Sequence, residues 1–264
     1  DGDHSALACI PAAATGKAKL LAKDEGRIAG VEFARRVFKH IDPGITVDIK
    51  INDGEAVTHG DIVFYVSGSV RAILKAERLV LNAMQRMSAI ATRTAGFIKL
   101  LKGTRTGILD TRKTTPGIRA LEKWAVRIGG GENHRFGLYD MIMLKDNHID
   151  FSGGITPAII KTKRYLKTHN KTLDIVVEAR DLKEVAEILE NGGVYRILLD
   201  NFDVETTRKA IALIGNRCFT ESSGGIDEQT VRAYADCGVD YISLGALTHS
   251  VHHIDLSLKA VPDV

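Results

Sequence analysis

The sequence predicts an α/β chain in which a small α+β domain precedes a parallel α/β barrel too short to be a full eightfold one. Strand-like and helical runs alternate through the second half of the chain. The runs Leu173 to Glu178, Arg196 to Asp200, Cys218 to Glu221 and Tyr241 to Leu244 are short and mostly apolar, and polar residues close them, as expected of buried parallel strands. Residues 1 to about 70 differ in texture, with turn signals at Asp24-Glu25-Gly26, Asp42-Pro43-Gly44, Asn52-Asp53-Gly54 and Ser67-Gly68.

Composition sets the bounds. With 264 residues and 44% hydrophobic content, the chain buries a large core without staples. A net charge of +3 suggests neither a nucleic-acid nor a membrane partner, so any basic site is local. Cys9, Cys218 and Cys237 are odd in number and lack CxxC spacing, which argues against a disulfide framework or structural zinc and points to a reducing cytoplasm. No apolar run reaches the length of a membrane span, and no signal-peptide pattern opens the chain.

In chain order, Ala18 to Lys23 and Ile62 to Val66 read as strands and Val31 to His40 as a short helix. From Arg71 to about Leu101 runs the longest helical pattern, with Ile73, Val80, Met84, Met87, Ala91, Ala95 and Ile98 on one face. A polar stripe of Arg78, Asn82 and Arg86 follows the same helix with no acidic partner evident. Ile108-Leu109 and Met141 to Leu144 are the first barrel strands. Between them Thr115-Pro116 offers an N-cap and first-turn proline for a helix over Ile118 to Ile128, which Gly129-Gly130-Gly131 ends. Further helices are expected over Pro157 to His169, Leu182 to Asn191, Val204 to Ile214 and Asp227 to Cys237. Domain boundaries fall at 1–100 and 101–250, and the weak strand-like tail 251–264 returns to the first domain.

Chemistry gathers at the strand ends. Asp110-Thr111-Arg112-Lys113 follows the first barrel strand, Asn133-His134-Arg135 the glycine loop, and Lys145-Asp146-Asn147-His148 the second strand. Arg112, Lys113, His134, Arg135 and Lys145 are expected to converge at one end of adjacent strands. Cations so clustered repel one another unless a ligand with several negative charges sits among them. Glu178 and Asp200 end their strands and offer hard oxygen ligands to a magnesium ion that also binds substrate phosphates. Glu221-Ser222-Ser223-Gly224-Gly225 and Leu244-Gly245-Ala246-Leu247-Thr248 end the last two strands, where glycine backbone N–H groups and following helix starts make a phosphate cradle.

The strings TRKTTPG, GGGENHR and LKDNHI, in this order and spacing, with ESSGG and SLGALTHS near the end, resemble the quinolinate phosphoribosyltransferase family, also called nicotinate-nucleotide pyrophosphorylase (carboxylating). The resemblance spans essentially the whole chain. It implies an N-terminal α/β sandwich domain plus an incomplete parallel α/β barrel, the type II phosphoribosyltransferase fold. The implied reaction transfers phosphoribosyl from phosphoribosyl pyrophosphate to quinolinate with decarboxylation, giving nicotinate mononucleotide, pyrophosphate and CO2 in NAD biosynthesis, with Mg2+ as cofactor. By the same match Arg78, Thr111, Arg112, Lys113, His134, Arg135 and Lys145 bind quinolinate, Arg78 being donated by the partner chain of a homodimer. Glu178, Asp200, Ser223, Gly224, Gly225, Leu244, Gly245 and Ala246 bind phosphoribosyl pyrophosphate, and Lys113, Lys145, Glu178 and Asp200 form the catalytic set.

Two rival readings stand beside it. A barrel aldolase or lyase would use Lys145 or Lys113 as a Schiff base but has no need of so many cations. A non-catalytic paralogue of the family, associated with molybdate uptake, should lack part of the arginine and lysine set that this sequence keeps.

Overall fold

The computed structural model describes residues 2–262. In chain order the elements are α1 (His4–Cys9), β1 (Thr15–Ala22), β2 (Gly26–Arg27), α2 (Val31–Ile41), β3 (Thr46–Ile49), β4 (Ala56–Val57), β5 (Ile62–Ser69), α3 (Val70–Leu100), β6 (Gly107–Leu109) and α4 (Arg119–Ile128). There follow β7 (Ile142–Leu144), α5 (Asp146–Ser152), α6 (Ile155–Thr168), β8 (Ile175–Ala179), α7 (Leu182–Asn191), β9 (Arg196–Asp200), α8 (Val204–Ile214), β10 (Phe219–Ser223), α9 (Val231–Ala235), β11 (Tyr241–Ser243), α10 (Ala246–His249) and β12 (Leu256–Val261).

The chain folds into two compact units, each built from several stretches. One comprises Asp1–Ala95, Thr114–Gly130 and Leu247–Val264, the other Gly96–Lys113 and Gly131–Ala246. This differs from a single cut near residue 100, because α4 belongs with the first unit. Of the expected tail, residues 263–264 lie outside the described part.

The first unit is an α/β sandwich. Its antiparallel sheet has the order β12-β1-β5-β3. β12 pairs with β1 from Lys17↔Val261 to Ala22↔Leu256, so the C-terminal segment completes a sheet begun at the N-terminus. Leu20, Phe64 and Val66 from the sheet pack with Phe38 of α2 and Val80 and Met84 of α3. Phe38 and Phe64 meet edge to face with centroids 6.1 Å apart. On α3 the buried face runs through Ile73, Val80, Met84, Met87 and Ala91 as its spacing predicts. In the last turns Thr94 and Phe97 are buried instead of Ala95 and Ile98.

The second unit is an incomplete parallel barrel, a six-stranded sheet in the order β6-β11-β10-β9-β8-β7. β6 and β7 are its two edges, not neighbours as expected. β8 is buried along its whole length. Its alternate residues Ile175, Val177 and Ala179, with Ile197 and Leu199 of β9, pack in one cluster with α6, α7 and α8. Val176 and Leu198 belong to a separate cluster on the opposite face of the sheet. The period of two therefore sends Glu178, Arg196 and Asp200 to that opposite, interior face.

Helix boundaries follow local chemistry. Asp181 and Asp203 cap α7 and α8 by accepting backbone N–H groups, Gly192 and Gly215 follow their last residues, and both helices span the ranges that the sequence predicts. Thr115-Pro116 does not open α4. Gly117 adopts φ +84, which breaks the turn after Pro116, and the helix starts at Arg119. α9 is five residues long, far shorter than the expected Asp227 to Cys237.

Candidate active site

Backbone pairing places two of the cation-bearing segments together. The Glu132 N–H donates to Ile108 O at 2.8 Å and the Asp110 N–H to Glu132 O at 3.2 Å, so Glu132 lies alongside β6. Asp110, fully buried, then accepts the His134 N–H (2.8 Å) and Asn133 Nδ2 (2.6 Å). Sequence reasoning gave Asp110 no role, although it ends a strand as Asp200 does.

Arg112 and Lys113 are exposed in the turn after β6, where Thr111 Oγ1 accepts the Lys113 N–H at 3.0 Å. Arg135 is buried, and its Nη1 donates to Met141 O at 3.3 Å. Burial pushes the Arg135 pKa down, the charge of Arg112 pushes it the same way, and Asp140 opposes them. The two guanidiniums thus lie near enough to repel, although their segments leave different parts of the chain.

Lys145, at the end of β7, is about half exposed and holds its Nζ 3.9 Å from Glu178 Oε2. Burial raises the Glu178 pKa, Asp200 adds to the shift, and Lys145 opposes it. Glu178 and Asp200 are therefore close enough to sense each other's charge. Among the described residues no group of three or more His, Cys, Asp or Glu side chains is arranged to hold a metal. The pair fits a magnesium ion bound by one or two carboxylates, with waters and substrate phosphates completing its shell.

The glycine loops have the shape a phosphate needs. Gly224 and Gly225 adopt φ +99 and +60 after β10, and Asn201 after β9 adopts φ +56. The Asn201 N–H donates to Ser223 O at 2.8 Å, tying the two strand ends together. The expected support from helix starts is weak. α10, which follows Gly245, has four residues, and no helix begins after Gly225 until Val231.

Arg78 is exposed on α3 of the first unit, as is its neighbour Leu79. Arg86 departs from the expectation of a stripe without an acid, since it pairs with buried Glu122 at 2.8 Å. Glu122, Asp110 and Glu221 are the buried acids that sequence reading left without roles. Their partners lie 23 to 36 residues away along the chain, beyond local pattern.

An α/β sandwich unit and an incomplete parallel α/β barrel unit in one chain make the fold class of the type II phosphoribosyltransferases. Comparison with known proteins narrows the class to one family. The chain belongs to the quinolinate phosphoribosyl transferase family, matching the model of its N-terminal domain over residues 3–88 and of its C-terminal domain over residues 90–259. It is 45% identical to the chloroplastic nicotinate-nucleotide pyrophosphorylase [carboxylating] of Arabidopsis thaliana, over 98% of this chain and 78% of that protein. Similarity to a mitochondrial quinolinate phosphoribosyltransferase [decarboxylating] of Nicotiana tabacum is 43%, over 98% and 77%. The crystal structure of NadC from Streptococcus pyogenes superposes with a TM-score of 0.92 at 39% identity, covering 99% of this chain and 92% of that one.

The expectation of a cytoplasmic compartment is corrected by these relatives, whose names place them in chloroplasts and mitochondria. The inference from free cysteines fails because Cys9, Cys218 and Cys237 are unpaired thiols that any reducing compartment tolerates, an organelle interior included. Among the described residues, no helix is long and apolar enough to cross a membrane.

Proposed function

We propose that this chain transfers the phosphoribosyl group of phosphoribosyl pyrophosphate to the ring nitrogen of quinolinate and releases CO2, giving nicotinate mononucleotide and pyrophosphate for NAD biosynthesis. The observation that carries the reading is the nearness of Arg112 to Arg135, a repulsion relieved by a dianion. Arg112, Arg135 and Lys145 hold the two carboxylates of quinolinate, and Lys113 lies between the substrates. Ser223, Gly224, Gly225, Leu244, Gly245 and Ala246 cradle the 5-phosphate.

Holding the ring nitrogen against the ribose anomeric carbon replaces a bimolecular encounter by a positioned one. The bond from that carbon to pyrophosphate breaks as the bond to nitrogen forms, through an oxocarbenium-like ribose. The nitrogen, now a pyridinium, stabilises the electron pair left on the adjacent ring carbon when its carboxylate departs as CO2, and that carbon takes a proton. Glu178 and Asp200 would hold a magnesium ion, which would supply charge stabilisation to the departing pyrophosphate. Schiff-base chemistry is less well served, because Lys145 faces a carboxylate and Lys113 is exposed, whereas such a lysine needs desolvation or a cationic neighbour.

The protein acts as a homodimer in which Arg78 of one protomer completes the quinolinate pocket of its partner. In support, Arg78 is exposed, forms no ion pair among the described residues, and lies beside the exposed Leu74 and Leu79.

The test is a steady-state assay that follows CO2 and pyrophosphate with quinolinate or with nicotinate as acceptor. A pocket built for two carboxylates leaves a cation unpaired when one is missing, so nicotinate should lose roughly 3 kcal/mol or more in kcat/KM. Equal kcat/KM for the two acceptors overturns the assignment.

A further inference from the structure

The interior of the barrel unit holds a buried polar cluster of which only His134 belongs to the set that the family match assigns to the substrates. Glu221 of β10 is fully buried, Arg196 of β9 is 5% exposed and His134 is 7% exposed. Arg196 Nη1 donates to Glu221 Oε2 at 2.7 Å, and its guanidinium stacks over Tyr241, 4.3 Å from the ring centroid. His134 Nε2 lies 3.4 Å from the same carboxylate oxygen. That distance is long for a hydrogen bond and corresponds to an attraction between a polar N–H and an anion. Burial alone would raise the Glu221 pKa, but His134 and Arg196 outweigh it and hold the carboxyl below its ordinary range.

The other ring nitrogen settles which tautomer is present. Nδ1 accepts the backbone N–H of Arg135 at 2.7 Å and so carries a lone pair, not a proton. The ring nitrogen that presents a proton toward Glu221 is then Nε2. Both ring nitrogens are turned toward the protein. The imidazole therefore holds the backbone of Arg135 through Nδ1.

We propose that Glu221 and His134 are positioning residues, through which the barrel interior fixes the backbone, and hence the guanidinium, of Arg135 against a substrate carboxylate. This rests on the assignment of Arg135 to quinolinate made above. The segment is pinned at consecutive points. The His134 N–H goes to Asp110 Oδ1 (2.8 Å), the Arg135 N–H to the His134 ring (2.7 Å), and Arg135 Nη1 to Met141 O (3.3 Å). Without a ring of fixed orientation, a buried N–H loses its acceptor and the guanidinium its aim. Because Glu221 sits two residues before Ser223 on one strand, the strand that supports the phosphate cradle also orients the cation for the other substrate.

The test combines kinetics with the spectrum of the ring. Glu221→Gln keeps the shape but weakens the pull on Nε2–H. The double variant Arg196→Met with Glu221→Leu removes the ion pair without stranding a buried charge, which protects folding. In variants with wild-type circular dichroism, KM for quinolinate should rise about tenfold or more, while KM for phosphoribosyl pyrophosphate stays within about twofold. Nitrogen-15 NMR of histidine-labelled wild type, with His134→Gln to assign the ring, should show the Nε2–H tautomer. An Nδ1–H tautomer, an unchanged quinolinate KM in the folded double variant, or an equal loss for both substrates overturns the proposal. Absence of quinolinate turnover in the wild type would fault the assigned reaction instead, and the tautomer would still decide whether Glu221 holds the ring.

Discussion

Arg86 on α3 and Glu122 on α4 form an ion pair at 2.8 Å in which the carboxylate has no solvent exposure. Glu122 Oε2 also accepts the Thr115 N–H at 3.0 Å, and Arg86 reaches Thr115 Oγ1 at 3.3 Å as well as the Thr248 carbonyl. The pair thus anchors Thr115, two residues beyond Lys113, so a structural contact steadies the far end of the segment that carries Arg112 and Lys113. Removing one partner strands a buried charge. Arg86→Ala or Glu122→Ala should each cost about 3–5 kcal/mol in urea unfolding, and Arg86→Met combined with Glu122→Leu should recover most of it. Single variants within about 1 kcal/mol of wild type would show that the pair is bystander chemistry.

Glu178 works the other way, because its pKa is raised by burial first and by Asp200 second. Between the ordinary glutamate range and that raised value, the folded chain keeps a proton that the unfolded chain has released. Stability then falls as pH rises through that window and does not return above it. Glu178→Gln cannot lose the proton. It should melt progressively higher than wild type as pH climbs above the ordinary glutamate range, while its turnover collapses. Melting curves that stay parallel over that range would mean that Glu178 ionises without strain.

Gly224 and Gly225 make an internal comparison in the cradle. A Cβ on Gly224 would lie 2.1 Å from Asn201 Oδ1 and 3.0 Å from the Asn201 backbone N, whereas one on Gly225 meets nothing within 4 Å. Both have positive φ, so both alanine variants carry backbone strain of about 1–2 kcal/mol. Only Gly224→Ala must also displace the Asn201 side chain and crowd the Asn201 backbone N. Calorimetry should show phosphoribosyl pyrophosphate binding weakened at least about tenfold more by Gly224→Ala than by Gly225→Ala. Equal losses would move the phosphate away from Gly224.

The barrel half of the fold was legible because its punctuation is local. Asp181 with Gly192 and Asp203 with Gly215 mark the ends of α7 and α8, and the strand period of two predicts the interior faces of β8 and β9. Thr115-Pro116 misled because a cap signal is conditional on the next backbone angle, and Gly117 takes one that no helix uses. The site was legible as a set of chemical types at strand ends, Glu178 and Asp200 among them. What joins those types was not. Asp110 to Asn133, Glu122 to Arg86 and Glu221 to Arg196 are contacts between residues distant in sequence, and an acid in each pair reads from sequence as one more loop or surface charge.

Arg78 supports the last prediction, that the chain forms a homodimer whose active sites each use both chains. Its side chain is exposed on α3 next to Leu79, which is 55% exposed. In a two-fold dimer each site would combine one protomer's barrel unit with its partner's Arg78. Arg78→Ala and Lys113→Ala should each be nearly inactive alone. A hybrid of the two holds one intact site, where the Lys113-bearing barrel meets an intact Arg78, and one doubly damaged site. Random reassortment makes about half of the dimers hybrid, each with one of two sites working, so activity should return to roughly a quarter of wild type. Unfolding, mixing and refolding the two variants, beside self-mixed controls, measures the recovery directly. Hybrids detected by native mass spectrometry without any recovered turnover would place the function of Arg78 within its own chain.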